Sequence, residues 1–412
     1  MRASAQERAA SASSPRIRWF GRFDELPAEA LHIVESQAGP AWSLAVLRTQ
    51  DHHPATSVEA LRYAVAYQGE RIAGWVATAV VPLFDAGLTR GVRLRALSLG
   101  DGIGYCVPAI VVAPDHPEPA RIHEAILGAA IDHARELGLD GVFLYTVPCD
   151  QVYLRSALDR LGFFRWSAPS CAFVPLHAER FGRYPGGLRS SYRSVLKKKQ
   201  RELDALGLQI TAGPANLDSA TLYALYLSIA AKKEREWADL SVLEPHLTAG
   251  FFAAALTDPA FRFHVVTSAS GGVLAYNLAA RSGTLLQSLV VGMDREALQR
   301  VGGDALAPAV YQMLHFAVLS AAEAEGCRWA NLGITAEEGK ARLGALFRPA
   351  EEADFALTPA FTELLERFSA AYQVPPLSQC RPYGDAALAS IHAAADGLTL
   401  TMGNSELLQR TG

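Results

Sequence analysis

The sequence predicts an α/β (α+β) protein with two domains of similar topology, each a mixed twisted sheet flanked by helices. The chain has 412 residues, which is long for one domain and comfortable for two. Half of the residues are apolar and 19% are charged, a composition typical of packed globular proteins. The same order of strand and helix patterns occurs in both halves, and this repetition predicts the paired architecture.

In the first half, the pattern predicts two strands joined by a turn, a third strand, a helix, a buried strand and a second helix. These segments are residues 63–82, 105–114, 118–139, 141–147 and 151–161. Gly138 and Gly162 stand where the two helices should end, because glycine adopts the left-handed conformation that closes many helices.

In the second half, the pattern predicts three strands with glycine turns, a helix, a strand, a short helix and a closing strand. These segments are residues 261–293, 307–326, 328–334, 336–347 and 354–359. The polar, glycine-rich stretch from Arg183 to Gly187 has the composition of a linker. The predicted division is a disordered tail, an N-terminal domain, a C-terminal domain and an extension: residues 1–15, 16–182, 183–374 and 375–412.

Composition and charge restrict the function classes. The net charge is −4 and the isoelectric point is about 6.3, so any contact with nucleic acid or anionic membrane must be a local patch. Five cysteines without a CxxC pair argue against a disulfide framework, and no metal site is expected. The apolar stretch 305–322 contains Pro308, Gln312 and His315, so we expect a buried helix rather than a membrane span. The N-terminus is no secretion signal, and a cytoplasmic location is expected.

Four segments, in this order along the chain, carry a resemblance to a known family. They are YLRSALDRLGFFR (153–165), YRSVLKKKQRELDALG (192–207), RVGGDA (300–305) and NLGITAEEGKARLGALF (331–347). The first resembles the end of a GNAT acyltransferase domain, and the others resemble the FemABX branch, in which two GNAT-like domains share one chain. The resemblance extends from about Tyr63 to Leu357. It implies two GNAT-like domains and amide bond formation, with aminoacyl-tRNA as the usual FemABX donor and acyl-CoA as the usual GNAT donor.

The glycine-containing loop before the 307–326 helix is the candidate donor site. Arg300, Gly303 and Ala305 fit the GNAT pattern Arg/Gln-x-x-Gly-x-Gly/Ala, and Gly302 lies within it. Small residues let backbone N–H groups approach a diphosphate, and a helix N-terminus adds positive potential. Asp304 opposes a phosphate, and a plain turn remains the structural alternative. The corresponding first-half loop, residues 112–125, has three prolines and no glycine, so we expect a single donor site in the second domain.

Three residues are predicted to be catalytic. In FemABX-like enzymes a lysine in the segment matching 331–347 is implicated in stabilising the tetrahedral oxyanion, and this role is carried over to Lys340. Its alternative is a solvated lysine beside two glutamates. Tyr276 is a candidate general base and Tyr311 a candidate proton donor to the leaving group, although tyrosines at such apolar positions more often belong to a core.

The basic run after the linker is the candidate site for tRNA or phosphate. Arg193 and Lys197 share one helical face, as do Lys197 and Arg201, and Lys198 adds a further charge. The alternative is an ordinary solvated face. By the resemblance, Arg235 and Trp237 lie in the region that binds the acceptor, although a tryptophan here more often packs a helix against the core. Arg281, on the strand predicted around residues 273–283, is a further candidate for acceptor binding.

The leading functional expectation is transfer of an aminoacyl group from aminoacyl-tRNA to a small-molecule or peptide amine captured between two domains. The alternative donor is an acyl thioester on CoA or a carrier protein. A second alternative is a non-catalytic GNAT-like binding module. No bound cofactor is expected, since the donor is a co-substrate.

Overall fold

The computed structural model describes residues 14–37, 43–56, 58–84, 93–100, 109–178, 182–213, 217–236, 246–334, 336–371, 378–395 and 398–402. The chain divides into two compact units that interleave along the sequence. The first unit consists of residues 1–168, 237–246 and 350–373, and the second consists of 169–236, 247–349 and 374–412. The predicted tail 1–15 lies almost wholly outside the described residues, and the predicted domain boundaries stay a prediction.

The strands are β1 Arg16–Phe20, β2 Ala60–Gln68, β3 Arg71–Phe84, β4 Arg93–Leu99, β5 Ile110–Val112, β6 Gly141–Pro148, β7 Phe164–Pro175, β8 His177–Ala178, β9 Gly182–Arg183, β10 Gln209–Ala212, β11 Phe261–Thr267, β12 Val273–Ser282, β13 Leu285–Met293, β14 Trp329–Asn331 and β15 Leu346–Ala356. The helices are α1 Ala28–Glu35, α2 Leu44–His52, α3 Pro119–Glu136, α4 Val152–Leu161, α5 Ser190–Ala205, α6 Ser219–Glu236, α7 Ala249–Thr257, α8 Arg295–Gly302, α9 Leu306–Ala324, α10 Glu337–Ala341, α11 Pro359–Ala371 and α12 Asp385–Ala393.

The sheet of the first unit has the order β1-β2-β3-β4-β6 and continues with residues 350–356 of β15. All its neighbouring strands are antiparallel except β4 and β6, which run parallel. Its main core joins the sheet to α3 and α4 through buried residues such as Trp75, Ile126 and Leu158. A smaller apolar cluster of this unit is formed by Leu94, Ala96, Phe361 and Leu365.

The sheet of the second unit repeats this order. Strands β10, β11, β12 and β13 are antiparallel in sequence, β13 is parallel to β14, and residues 173–175 of β7 close the sheet against β14. The parallel pair is joined through α8 and α9, because parallel strands need a long crossover connection. The predicted fold class, two domains each with a mixed sheet flanked by helices, is therefore confirmed.

Most predicted elements lie where the patterns placed them. The helix ends at Gly138, Gly162 and Gly326 carry positive φ angles of 63°, 79° and 79°, as expected for capping glycines. The structure adds α8 between β13 and α9, where the sequence suggested only a turn. Asp294 caps this helix by accepting a hydrogen bond from the Ala297 N–H, at 2.8 Å.

The apolar stretch predicted as a buried helix is α9, and most of its apolar side chains are buried. No single helix in the described part of the chain is long and apolar enough to cross a membrane. The bent pair α8 and α9, at 110°, passes that test only when the two are taken together. The four described cysteines, Cys149, Cys171, Cys327 and Cys380, form no disulfide with one another.

We predict that Gly292→Ala destabilises the second unit. Gly292 lies opposite Tyr276 in the β12–β13 register, and a Cβ at this position would come within 2.1 Å of the Tyr276 ring. The ring is fully buried against Phe252 and Phe263 and cannot move aside. We expect a loss of about 1–3 kcal/mol in the free energy of unfolding by denaturant titration.

The matched control for this overpacking is Gly128→Ala. Gly128 lies inside α3, where an added Cβ meets nothing within 4 Å. We expect the control to leave stability unchanged or to raise it by up to about 1 kcal/mol. Equal stability of Gly292→Ala and the wild type would contradict the packing argument.

Candidate acyl-transfer site

The parallel junction of the second unit is short. Only Leu285–Gln287 of β13 pair with Trp329–Asn331 of β14, whereas β13 itself continues to Met293 beside β12. Beyond Asn331 the chain separates from β13, makes two more backbone hydrogen bonds to Ala172 of β7 through Leu332 and Gly333, and then turns into α10. The connection that enters α9 and the turn that enters α10 therefore both follow the carboxyl ends of these parallel strands, the usual position of ligands in such sheets.

The predicted donor loop forms the N-terminal end of α9. Helix α8 ends at Gly302, Gly303 has a φ of +76°, and α9 begins at Leu306 after Ala305. The Gly303 amide bonds to the Gln299 carbonyl, whereas in the described part of the chain no hydrogen bond uses the amides of Asp304 and Ala305. Two exposed N–H groups at the start of a 19-residue helix are suited to an anion, because the helix dipole adds to their partial charge.

The other members of this loop have clear local roles. Gly302 allows close packing, since a Cβ there would lie 2.8 Å from Leu306 and 3.1 Å from Leu206. Asp304 accepts a hydrogen bond from Gln299 at 2.6 Å rather than capping α9. Arg300 is exposed in the last turn of α8. The loop thus combines exposed backbone donors with one cation and one opposing carboxylate.

Lys340 is buried, not solvated. Its side chain is 1% exposed, and its ammonium donates to the carbonyls of Gly333, at 3.1 Å, and Ile334. The chain reaches α10 through Ala336, which has a left-handed backbone with φ 52°. For alanine this conformation costs about 1 kcal/mol or more, so the surrounding contacts hold the turn in place. The alternative of a surface lysine does not fit this geometry.

A second lysine is tied to the same turn. The Lys199 ammonium of α5 donates to the Gln312 amide oxygen, and the Gln312 amide nitrogen lies 3.5 Å from the Gly339 carbonyl. Burial, together with the charge of Arg342, lowers the pKa of Lys199. Lys199 and Gln312 were not predicted as site residues. The available signal was a polar residue at position 312 inside the most apolar helix of the chain.

A buried polar network faces Lys340 from α9. The Asn277 amide nitrogen donates to Ser288 Oγ, at 2.9 Å, and lies 3.2 Å from Nδ1 of His315. Nδ1 is then the acceptor, and the proton is assigned to Nε2, which has no hydrogen-bond partner among the described residues. Burial, with a smaller contribution from the Lys340 charge, lowers the pKa of His315 to about 3. The imidazole is therefore neutral at pH 7.

The two predicted catalytic tyrosines have different surroundings. Tyr311 packs edge-on against His315, with ring centroids 4.5 Å apart, and so belongs to the same group of side chains as Lys340. Tyr276 is fully buried in an aromatic cluster with Phe252 and Phe263, and its hydroxyl has no described partner. Burial raises the pKa of both phenols, so they keep their protons at neutral pH.

The basic helix α5 presents only part of its predicted charge. Arg193 donates to the backbone carbonyls of Gly186, at 3.1 Å, and Leu188, which fixes the start of the helix. Lys198 lies 3.7 Å from Glu202, and Arg201 bonds to the Lys197 carbonyl. Lys197, Lys198 and Arg201 are exposed. Three exposed cations on one helix leave a modest basic surface.

Of the predicted acceptor residues, the structure describes the side-chain surroundings of Arg281. Arg281 lies at the end of β12, where it contacts the Gly283 carbonyl at 3.0 Å and Glu325 at 3.6 Å. Arg235 belongs to the last turn of α6, and Trp237 lies outside the described residues. No group of three or more metal-ligating side chains occurs in the described ranges.

Comparison with known proteins identifies the domain that contains this geometry. The family described as the acetyltransferase (GNAT) domain matches residues 190–341, which span the donor loop and Lys340. Residues 190–341 are therefore similar to a GNAT domain. Its fold is that of FemX, whose crystal structure superposes with a TM-score of 0.54 at 12% identity, over 85% of this chain and 100% of FemX. The predicted resemblance to FemABX-like tandem-GNAT proteins is thus confirmed at the level of fold.

Two further solved structures are similar to the chain. One is the C-terminal domain of a putative lysylphosphatidylglycerol synthetase from Agrobacterium fabrum, with a TM-score of 0.48 and 12% identity over 83% of this chain and 94% of that one. The other is a tandem GNAT protein from the clavulanic acid biosynthesis pathway, with a TM-score of 0.47 and 14% identity over 84% and 99%. No curated protein sequence matches the chain.

We predict that the second unit, which contains His315, loses free energy of unfolding in mild acid because of this residue. Its folded pKa, about 3, lies below the unfolded value near 6.5, so the unfolded chain binds the extra proton first. Its contribution is therefore complete above pH 6.5 and is lost as the pH falls below that value. Between pH 7 and pH 5 we expect His315→Gln to lose about 2 kcal/mol less unfolding free energy than the wild type.

Denaturant titrations at the two pH values measure this difference. Exposed His392, on α12 of the same unit, provides the control, because His392→Gln should retain the wild-type pH dependence. The same loss of stability in His315→Gln and the wild type would show that the imidazole is not held neutral.

Proposed function

We propose that the protein is an N-acyltransferase that moves an acyl group from a CoA thioester to an amine. The observation that carries this proposal is the exposed pair of backbone N–H groups at the start of α9, between Arg300 and the helix. Such a site suits the diphosphate of a CoA donor, since small residues admit the phosphates and the helix dipole favours them. The carboxylate of Asp304 reduces the positive potential of the loop, but it accepts its hydrogen bond from Gln299 and not from the two amides.

The reaction requires few protein groups. The amine nitrogen attacks the thioester carbonyl, negative charge develops on the carbonyl oxygen, and collapse of the adduct breaks the C–S bond and releases the thiol. The amine loses its proton during the transfer. Holding both reactants in place supplies much of the rate, and no covalent enzyme intermediate is needed.

Lys340 is proposed to stabilise the developing charge. Its ammonium is desolvated, and a cation in a dry site acts over a longer distance than one in water. The neutral His315 lies near enough for the Lys340 charge to affect it, and its Nε2–H is a further hydrogen-bond donor in this group. Tyr311 keeps its proton and completes the set of donors.

The second candidate donor is aminoacyl-tRNA, as in the FemABX resemblance. The observation that favours it is the exposed row Lys197, Lys198 and Arg201 on α5. A tRNA donor would contact several phosphates at once and would bind with a steep dependence on salt. The acceptor is an amine of unassigned structure under either candidate.

We predict that Lys340→Met lowers kcat about 10²- to 10³-fold with acetyl-CoA and a pool of amines, with free thiol and product mass as readouts. Methionine keeps most of the buried volume, so donor affinity should change little, because the charge acts mainly in the transition state. Lys340→Arg should restore activity only in part, since guanidinium differs in shape and reach.

The control for Lys340 is Lys198→Met, which removes an exposed lysine and should leave kcat unchanged. Melting temperatures of all variants separate lost chemistry from lost folding. Wild-type turnover in a folded Lys340→Met protein would exclude the proposed role. Binding of acetyl-CoA without any acylated product from the amine pool would instead favour a non-catalytic binding module.

A second prediction separates the two donors. Arg300→Ala should weaken acetyl-CoA binding about fivefold, equivalent to ~1 kcal/mol, because one cation near the phosphates is lost. The double variant Lys197→Ala/Lys198→Ala should leave acetyl-CoA binding unchanged. If aminoacyl-tRNA is the donor, the double variant should instead weaken tRNA retention and flatten the dependence of tRNA binding on salt. Arg300→Ala should then have no effect on acetyl-CoA binding.

A further inference from the structure

The first unit contains a second apolar region, separate from its main core. Leu94 and Ala96 of β4 pack with Phe361 and Leu365 of α11, and Phe143 and Trp166 border them. The next residues of β6, Val142 and Leu144, belong to the main core instead, so Phe143 points to the other face of the sheet. The α11 face of this unit is therefore lined by apolar and aromatic side chains.

Two carboxyl groups of β15 enter this apolar region. Asp354 lies opposite Phe143 in the strand register and is only 6% exposed. Its Oδ2 has no hydrogen-bond partner among the described residues. Glu352, two residues earlier, is half-buried and accepts a hydrogen bond from the Trp166 indole at 2.8 Å. The two groups are close enough for their charges to interact.

The neighbouring Glu351 shows how a carboxylate of the same strand is normally satisfied. It receives Arg155 at 3.0 Å and Arg165 at 2.7 Å. The β15 register shifts between Glu351 and Ala353, which sends Glu351 towards α4 and leaves the next two acids on the other face. No described lysine, arginine or histidine forms an ion pair with Glu352 or Asp354.

Such a pair is unfavourable in an unliganded fold. A buried carboxyl group without a cation loses hydration that nothing replaces. Burial raises the pKa of Asp354 well above its usual range, with Glu352 adding repulsion, and burial raises the pKa of Glu352 to about 8. A ligand cation would supply the missing countercharge and a donor for the unpartnered Oδ2.

We propose that Glu352 and Asp354 form a binding site for the ammonium group of an amine whose carbon chain packs against Phe143 and Trp166. Two carboxylates with an aromatic border fit an organic cation, because the carboxylates accept its N–H groups and ring faces attract its charge. A divalent metal ion fits poorly, since Ca²⁺ or Mg²⁺ needs six or more oxygen ligands. The site lies within the first unit and does not depend on the proposed transferase activity.

The test uses n-butylammonium chloride as the probe, titrated calorimetrically into the full-length protein at pH 9, above the pKa of Glu352, about 8, and below that of an alkylammonium, about 10.4. We expect saturable binding of n-butylammonium and none of n-butanol at the same ionic strength. Asp354→Asn should weaken the binding at least tenfold. It preserves the shape of the side chain and should keep the wild-type melting temperature or raise it, because an unpaired buried acid is removed.

The matched control is Glu351→Gln, which alters the same strand on its other face and should retain probe binding. If Asp354→Asn does not fold, Glu352→Gln tests the same site, since it removes the second carboxylate but keeps an acceptor for Trp166. The proposal is overturned if the wild type does not bind n-butylammonium at millimolar concentration, or if a folded site variant binds it as the wild type does.

Discussion

The geometry of the GNAT domain depends on one backbone constraint, the parallel pairing of β13 with β14. Parallel neighbours cannot be joined by a tight turn, so the chain must cross over, and α9 provides the crossing. The helix therefore starts after the carboxyl end of β13, and the two residues before it, Asp304 and Ala305, have amides without a described partner. Because the pairing covers only three residues of each strand, the turn into α10 starts from the same edge.

The polar interior of this domain follows from that arrangement. A helix over the parallel junction presents one face to the sheet, and in α9 that face carries Gln312 and His315 among apolar neighbours. Each meets a polar partner from another element: Gln312 meets Lys199 of α5, and His315 meets Asn277 of β12. Buried polar groups fix a structure when they are satisfied and cost stability when they are not. The Nε2 of His315, like the Tyr276 hydroxyl, has no described partner. His315 is the more informative residue for a test, because burial lowers the pKa of its imidazole and so links it to stability in mild acid.

The sequence predicted the parts of the fold that depend on local pattern. Strand and helix periods located both repeats, and glycines marked helix ends because only the left-handed conformation closes those helices without strain.

Lys340 was selected by resemblance alone. Its burial was not predictable, because Glu337 and Glu338 give the segment the appearance of a surface turn, and the left-handed residue that inserts it is Ala336 rather than glycine. Helix α8 was missed although Asp294 is a recognisable cap, because a run of eight residues gives a weak period. The burial of Asp354 depends on the register of β15, which no local pattern fixes.

The two units share the same crossover topology, but their crossing helices begin with different residues. In the first unit, β4 and β6 form the parallel pair and α3 is the crossing helix. Its N-terminus begins at Pro119, which has no N–H group, and Glu118 stands before it with its own negative charge. The first residue of α3 thus offers no N–H group, and the Glu118 carboxylate lies 3.4 Å from Arg121, whereas the amides of Asp304 and Ala305 before α9 have no described hydrogen-bond partner. The same topology therefore leaves two unpartnered amides at the crossover of the second unit, the proposed anion site, whereas the first unit holds an unpartnered carboxyl oxygen at Asp354, which favours a cation.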